Sequence, residues 1–408
     1  MNVILTLCGL LGAVFAVYFV ITSLGGFITR KRYTLPESAA TTWIAAVIPA
    51  RNESAVIGGL VDSLLRQDYP RELLDIYVVP NNCSDDTEAA ALRAGAKLLS
   101  CPEPVSRKGE VLRQAFAQLS ATGRYDAYCV FDADNLVDPG FMRSVNNAVR
   151  AGYDAAQGFR DSKNPFDSWV AGGTSIFYWF MSRVFNESRA RLGLSCHLNG
   201  TGFMLTDRLA RRLGWNTHTL TEDLEFTGQC ALNDCRIGWM PEAVVYDEQP
   251  VTLRDSAIQR RRWTAGSLQC TRRYALRLLK KATPWSLDIG CLFMGNLMNY
   301  MGIISAVASL IAYGPLIAGH LALALGLGAA YVAVLWLLCM AGAAVMLKWE
   351  GMPIKGCGPT ISLFPLFMIT WLPINIYACL TPPPSWHMVP HTRGVSLEAM
   401  EDRGKVCS

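Results

Sequence analysis

"YDAYCVFDADN" (125–135) decides the reading of this chain. The run Ala127 to Phe131 is apolar and suits a buried strand. It ends in two aspartates, Asp132 and Asp134, with one alanine between them, and then Asn135. Asp and Asn close strands in many proteins because their side chains bond nearby backbone. Taken alone, the stretch is either a plain turn or a pair of carboxylates that hold something, and the turn is the commoner case. Asn135 reads only as the turn.

Working outward, the same pattern recurs twice upstream. "TTWIAAVIPARNES" (41–54) and "LLDIYVVPNNCSDDT" (73–87) are apolar strands that run into polar turns. Between and after them lie helical patterns: "SAVIGGLVDSLLRQDYP" (54–70), with Ile57, Leu60, Leu64 and Leu65 on one face, then "TEAAALRAGAKLL" and "KGEVLRQAFAQL". Short apolar strands alternating with helices predict an α/β fold with a parallel sheet covered on both faces. Ligands bind such sheets beyond the carboxyl ends of the strands. Glu53, Asn81 and the Asp132/Asp134 pair then face one crevice. Turn chemistry explains any one of these ends and explains their convergence less well. Two carboxylates in D-x-D suit Mg2+ or Mn2+, which want oxygen ligands and would bring charge to the diphosphate leaving group of a nucleotide sugar.

Two further clusters follow. "TLTEDLEF" (219–226) sets Thr221, Glu222 and Asp223 ahead of a helical stretch. It reads as a helix N-cap with acids in the first turn, or as a general base for an acceptor hydroxyl. "QRRRW" (259–263) offers an arginine to a diphosphate and a tryptophan face to a sugar. Nine Arg or Lys and one acid between Arg254 and Lys281 equally suit anionic lipid headgroups. "SLQCTRRYALRLLKK" (267–281), with Leu268, Ala275, Leu278 and Leu279 on one face, reads as an amphipathic helix at a membrane surface. "SIFYWFMSRVF" (175–185) reads as a second such helix or a core helix.

The chain has 408 residues, 51% of them hydrophobic, and a net charge of +4, which gives no reason to expect a nucleic-acid partner. The apolar residues are concentrated at the two ends. Val3 to Phe27 carries no charge and is long enough to cross a bilayer as a helix, with "RKR" (30–32) after it. A signal peptide would put its positive end first. Ile289–Tyr313, Leu321–Leu347 and Ile361–Leu380 are three more candidate spans, the last interrupted by Pro365 and Pro373. Lys348 and Lys355 lie between the last two, which fits a cytoplasmic loop. The polar middle is therefore expected on the cytoplasmic side. Cys230 and Cys235 form a close pair with no second Cys or His pair downstream to complete a zinc site.

Together these stretches resemble the membrane-integrated, inverting family 2 glycosyltransferases, the group of hyaluronan, chitin-oligosaccharide, cellulose and poly-N-acetylglucosamine synthases. "VIPARNE", "VVPNNCSDDT", "RKGEVL", "FDADN", "NGTGF", "TED" and "QRRRW" carry the resemblance, in that order, over roughly residues 44 to 263. The resemblance implies a GT-A nucleotide-sugar fold, and a division into an N-terminal helix (1–29), a catalytic domain (40–250), an interface segment (251–287), a C-terminal membrane region (288–381) and a tail (382–408). It implies that Glu53, Asn81, Lys108, Asp132, Gln259 and Arg262 bind the nucleotide and diphosphate, with Asn81 where the family usually has an aspartate. Asp134 and Asp132 would hold the Mg2+ or Mn2+. Asp223 would be the base, with Glu222 beside it. Asn199, Gly200, Thr201, Gly202 and Trp263 would meet the acceptor.

The expected activity is processive transfer from a UDP-sugar to a growing polysaccharide, with inversion, at a bacterial plasma membrane. The alternative is transfer of one sugar to a membrane lipid. A haloacid-dehalogenase-type phosphatase would also place D-x-D after a strand but leaves "VIPARNE" and "QRRRW" unexplained. A scaffold that only binds nucleotide leaves "TED" unexplained.

Overall fold

The computed structural model of the protein describes residues 2–28, 33–354, 356–383 and 397. Arg30, Lys31, Arg32, Lys355 and, apart from Leu397, the tail beyond residue 383 lie outside the described residues.

Among the described residues, eight strands form one sheet: β1 (Ile44–Ala50), β2 (Leu74–Pro80), β3 (Lys97–Leu98), β4 (Ala127–Val130), β5 (Leu136–Val137), β6 (Ala155–Ser162), β7 (Phe203–Thr206) and β8 (Ile237–Asp247). Their order is β3-β2-β1-β4-β7-β6-β8-β5. The first four run parallel, as alternating strands and helices predict. The second half corrects the expectation of a parallel sheet. β7 is antiparallel to β4 and β6, and β5 to β8, while β6 and β8 are parallel. The cause is the connection after β6. Helical segments from Trp169 to Arg191 and the loop after them bring the chain back to the end of the sheet at which β6 left it. β7 therefore runs in reverse. The carboxyl ends of β1, β2, β4, β6 and β8 consequently share one edge with the loop that enters β7.

Strand alternation builds a core on each face. Ala45, Val47, Tyr128 and Val130 pack with Phe116, Trp179, Trp215 and Trp239 on one side. Ile44, Ala46 and Ile48 pack with Ile57, Leu60, Leu64 and Phe141 on the other.

Among the described residues, four helices are long and apolar enough to cross a membrane: Leu7–Ile28, Pro284–Gly314, Leu321–Trp349 and Gly358–Leu380. The last is divided at Thr370 into Gly358–Ile369 and Trp371–Leu380. Pro373 has no N–H to give the carbonyl of Ile369, which accounts for the break. Two ion pairs, one buried and one partly exposed, hold these helices to the sheet domain. Arg189 donates to Asp288 Oδ2 (3.2 Å) and to Thr22 Oγ1 (3.1 Å), and Tyr18 also donates to Asp288. Arg183 makes a two-pronged pair with Glu350, at 2.8 and 3.0 Å.

Candidate active site

The shared edge of the sheet opens into a cavity of about 850 Å³. Glu53 and Asn81 line it from the ends of β1 and β2, and Asp132 and Asp134 from the end of β4. The Asn81 side chain donates to the Ala50 carbonyl at 3.0 Å, which fixes it between β1 and β2.

Asn135 does more than make the turn. It is fully buried, and its Oδ1 accepts from the Asp132 N–H (3.1 Å) and from the Thr201 hydroxyl. Its Nδ2 donates to Asp247 Oδ1 at 2.9 Å. One amide thus joins the D-x-D turn, the "NGTGF" loop and the end of β8. Gln157 braces the same loop, accepting from Asn199 N (2.8 Å) and donating to Thr201 O (2.9 Å). Asn199 and Gly200 line the cavity, while Thr201 and Gly202 lie behind it and hold the loop in place.

Lys108 is the electrostatic centre. Its ammonium donates to Asp132 Oδ1 (2.5 Å) and Gly200 O (2.6 Å), and lies 3.8 Å from Glu222 Oε1. Burial works against this charge, but Asp132 and Glu222 outweigh it and hold the ammonium above its ordinary range. Burial likewise opposes the Asp132 charge, and Lys108 overrides it, so that carboxyl is held below its usual range.

Glu222 and Asp223 open the helix Glu222–Leu232. Thr221 precedes it as an N-cap would, yet its side chain makes no capping hydrogen bond. Close packing explains the position of this turn. A Cβ on Gly109 would stand 2.4 Å from Thr217 Oγ1, and one on Gly266 would stand 2.6 Å from Thr221 Oγ1. Only glycine lets the "RKG" and "QRRRW" helices come this near. Burial, reinforced by Glu222, pushes Asp223 up to about 7. Asp223 is therefore poised to accept a proton near neutrality.

The three arginines of "QRRRW" divide their work. Arg262 lines the cavity with Gln259 and Trp263, and among the described residues it has no hydrogen-bond or ion-pair partner. Arg260 turns away to donate to Thr370 Oγ1 at 2.8 Å, while Arg261 lines the cavity and donates to Thr381 Oγ1 at 3.0 Å. Trp263 stacks near Trp371 (ring centroids 6.2 Å) and meets Tyr178 edge-on (5.9 Å). Leu292, Asn296 and Trp371, which belong to the long apolar helices, complete the cavity wall.

Sequence reasoning missed Arg160, Tyr178, His197 and Asp247, all of which line the cavity. Arg160 pairs with Asp247, donates to Asn199 O (2.7 Å) and stacks 3.9 Å over the Tyr178 ring. A glutamine and an arginine in the otherwise apolar run "AAQGFR" (155–160) were the available signal. His197 is held neutral by burial, with Arg189 nearby, down to about 3.

The donor set fits a hard divalent ion. Asp132 and Asp134 offer oxygen ligands on one wall, and no group of three or more His, Cys, Asp or Glu among the described residues would enclose a metal without substrate. Mg2+ and Mn2+ sites of that kind are completed by water and phosphate.

Residues 41–266 match the family model described as "Glycosyltransferase like family 2". A beta-monoglucosyldiacylglycerol synthase of Synechocystis sp. is 26% identical over 273 residues, 66% of this chain and 56% of that protein. A probable glycosyltransferase, YdaM, of Bacillus subtilis is 25% identical over 281 residues, 65% of each chain. A second beta-monoglucosyldiacylglycerol synthase, from Trichormus variabilis, is 27% identical and matched over 61% of this chain and 54% of its own length. The matched region thus spans about half to two-thirds of these relatives. Among solved structures, the mannosyltransferase PcManGT from Pyrobaculum calidifontis, in complex with GDP-Man and Mn2+, superposes with a TM-score of 0.57 at 16% identity. The match covers 89% of this chain and 98% of that one. This likeness establishes a shared GT-A-like fold.

Proposed function

This chain belongs to the glycosyltransferases of family 2, and from that premise we propose that it transfers one sugar from a UDP-sugar to the hydroxyl of a membrane glycerolipid, with inversion. The observation that carries this reading is the cavity itself. It runs without interruption from Asp132, Lys108 and Arg262 to Leu292, Asn296 and Trp371 on the membrane helices. An acceptor whose tails stay in the bilayer can reach Asp223 from there. The lipid-glucosylating relatives favour the same alternative over the processive polysaccharide synthase expected first.

In this mechanism Glu53 and Asn81 hold the nucleoside end, and Lys108 sets Asp132 and the Gly200 carbonyl. Asp132 and Asp134 would hold Mg2+ or Mn2+, which supplies positive charge against the diphosphate. The acceptor O–H gives its proton to Asp223. The oxygen forms a bond to the anomeric carbon from the face opposite the diphosphate. The bond from that carbon to the phosphate oxygen breaks, and UDP departs with the electron pair beside Arg262. Buried polar atoms with no hydrogen-bond partner among the described residues, Asn199 Nδ2, Gln259 Oε1 and Trp371 Nε1, line this path and are ready to bind substrate hydroxyls.

The test is reconstitution with radiolabelled UDP-glucose and diacylglycerol, with products separated by chromatography. A single labelled glycolipid is expected. A ladder of polymer, with no labelled lipid, would restore the processive reading.

A further inference from the structure

The basic segment that closes the interface region has a face that catalysis does not use. In Thr271–Lys281, Tyr274, Ala275 and Leu278 are buried, together with the preceding Cys270, against Ile289 and Phe293 of the helix Pro284–Gly319. Arg272, Arg273, Arg277 and Lys280 point outward, with Leu276 among them 63% exposed. Arg272, Arg277 and Lys280 have no ion-pair partner among the described residues, and Lys281 is already taken by Asp234 at 2.7 Å.

The height of this face is fixed. Thr271 donates to Phe293 O at 2.5 Å, and Asn296 donates to Ser267 Oγ at 2.9 Å. The same helix exposes Leu287 near its start and, beyond Asn296, a run of apolar side chains at Leu297, Ile304, Val307 and Leu310. The cations therefore sit where the helix passes from protein packing into hydrocarbon, at the headgroup level. Cations without a carboxylate partner around an exposed leucine, Arg277 also lying 5.6 Å over the Tyr274 ring, are what anionic headgroups bind.

The face also touches the catalytic helix. Glu225, fully buried in "TEDLEF", accepts from Tyr274 OH (2.7 Å), His218 N (2.6 Å) and Thr219 N (2.7 Å), and Arg273 Nη1 lies 3.8 Å away. Glu225 is thus a positioning residue that holds the loop before Glu222 and Asp223 to the surface segment.

We infer that Arg272, Arg277 and Lys280 form a docking surface for anionic phospholipid headgroups, and that its occupancy is relayed through Tyr274 and Glu225 to the helix bearing Asp223. The docking stands on the surface alone. The catalytic consequence rests on the transferase reading given above.

The test uses the full chain and the triple variant R272Q/R277Q/K280Q, each in neutral phosphatidylcholine nanodiscs and in nanodiscs doped with phosphatidylglycerol. The first readout is thermal unfolding, which requires no activity. The wild type is expected to unfold several degrees higher with phosphatidylglycerol, a shift that salt erases and inorganic phosphate does not reproduce. The variant is expected to match the wild type in phosphatidylcholine and to lose the shift. The second readout is release of UDP from UDP-glucose, expected to rise several-fold with phosphatidylglycerol in the wild type only. A variant that keeps the full thermal shift overturns the docking surface. A thermal shift with UDP release that is present but the same in both bilayers overturns the relay. An intact thermal shift with no UDP release in any bilayer counts against the transferase reading instead.

Discussion

At the scale of residues, the site depends on which buried charge is balanced by which neighbour. Lys108 neutralises Asp132 directly, whereas Asp223 faces Glu222 and is left protonated more readily. A base must be ionised to take a proton. Since burial and Glu222 raise Asp223 to about 7, kcat/KM is expected to fall as pH drops through that value and to level off above it. Asp223→Asn should abolish transfer while leaving UDP affinity, measured by calorimetry, close to that of the parent. Near-normal transfer in that variant would assign the base elsewhere. Asp134→Ala should remove the part of UDP affinity that depends on Mn2+; equal affinity with and without the metal, in both proteins, would count against a metal role. The acids were legible in the sequence because they end apolar runs where a sheet exposes its ligand groups. Asn135 and Arg160 were not, because an amide in a turn and one arginine in a strand look ordinary until their partners, Thr201 and Asp247, arrive from 66 and 87 residues away.

At the scale of elements, tight packing positions the catalytic turn. Gly202 sits at φ +61° in the loop entering β7, and a Cβ there would stand 2.4 Å from Val245 Cγ1. Its N–H donates to Val130 O at 2.9 Å and its carbonyl accepts from Gly158 N at 2.8 Å. Gly202→Ala should therefore cost about 1–3 kcal/mol, seen as a lower Tm, and should weaken transfer because the same loop carries Asn199 and Gly200. An unchanged Tm would mean that β8 yields more easily than its packing suggests. The first half of the sheet was legible from strand–helix alternation. The antiparallel β7 was not, because hydrophobic pattern sets which residues are buried and says nothing of strand direction.

At the scale of the molecule, the long apolar helices are joined to the sheet domain by polar contacts. Arg189 and Asp288 lie 3.2 Å apart, 0% and 2% exposed, where the sheet domain meets the membrane helices. Asp288→Ala leaves a buried arginine without its counter-charge and should cost about 3–5 kcal/mol, read as a fall in Tm in detergent; a neutral result would show that Thr22 alone can satisfy Arg189. The sequence by itself determined the apolar spans, the strand ends and the acids at them, because burial and turn chemistry are local properties of composition and spacing. Only the tertiary structure decided how the three arginines of "QRRRW" divide between the cavity and the C-terminal apolar helices, and how Lys108 joins three motifs. It also decided that the cavity reaches residues of the membrane helices. Each of these depends on the distance between side chains far apart in the chain, and that distance is set by packing.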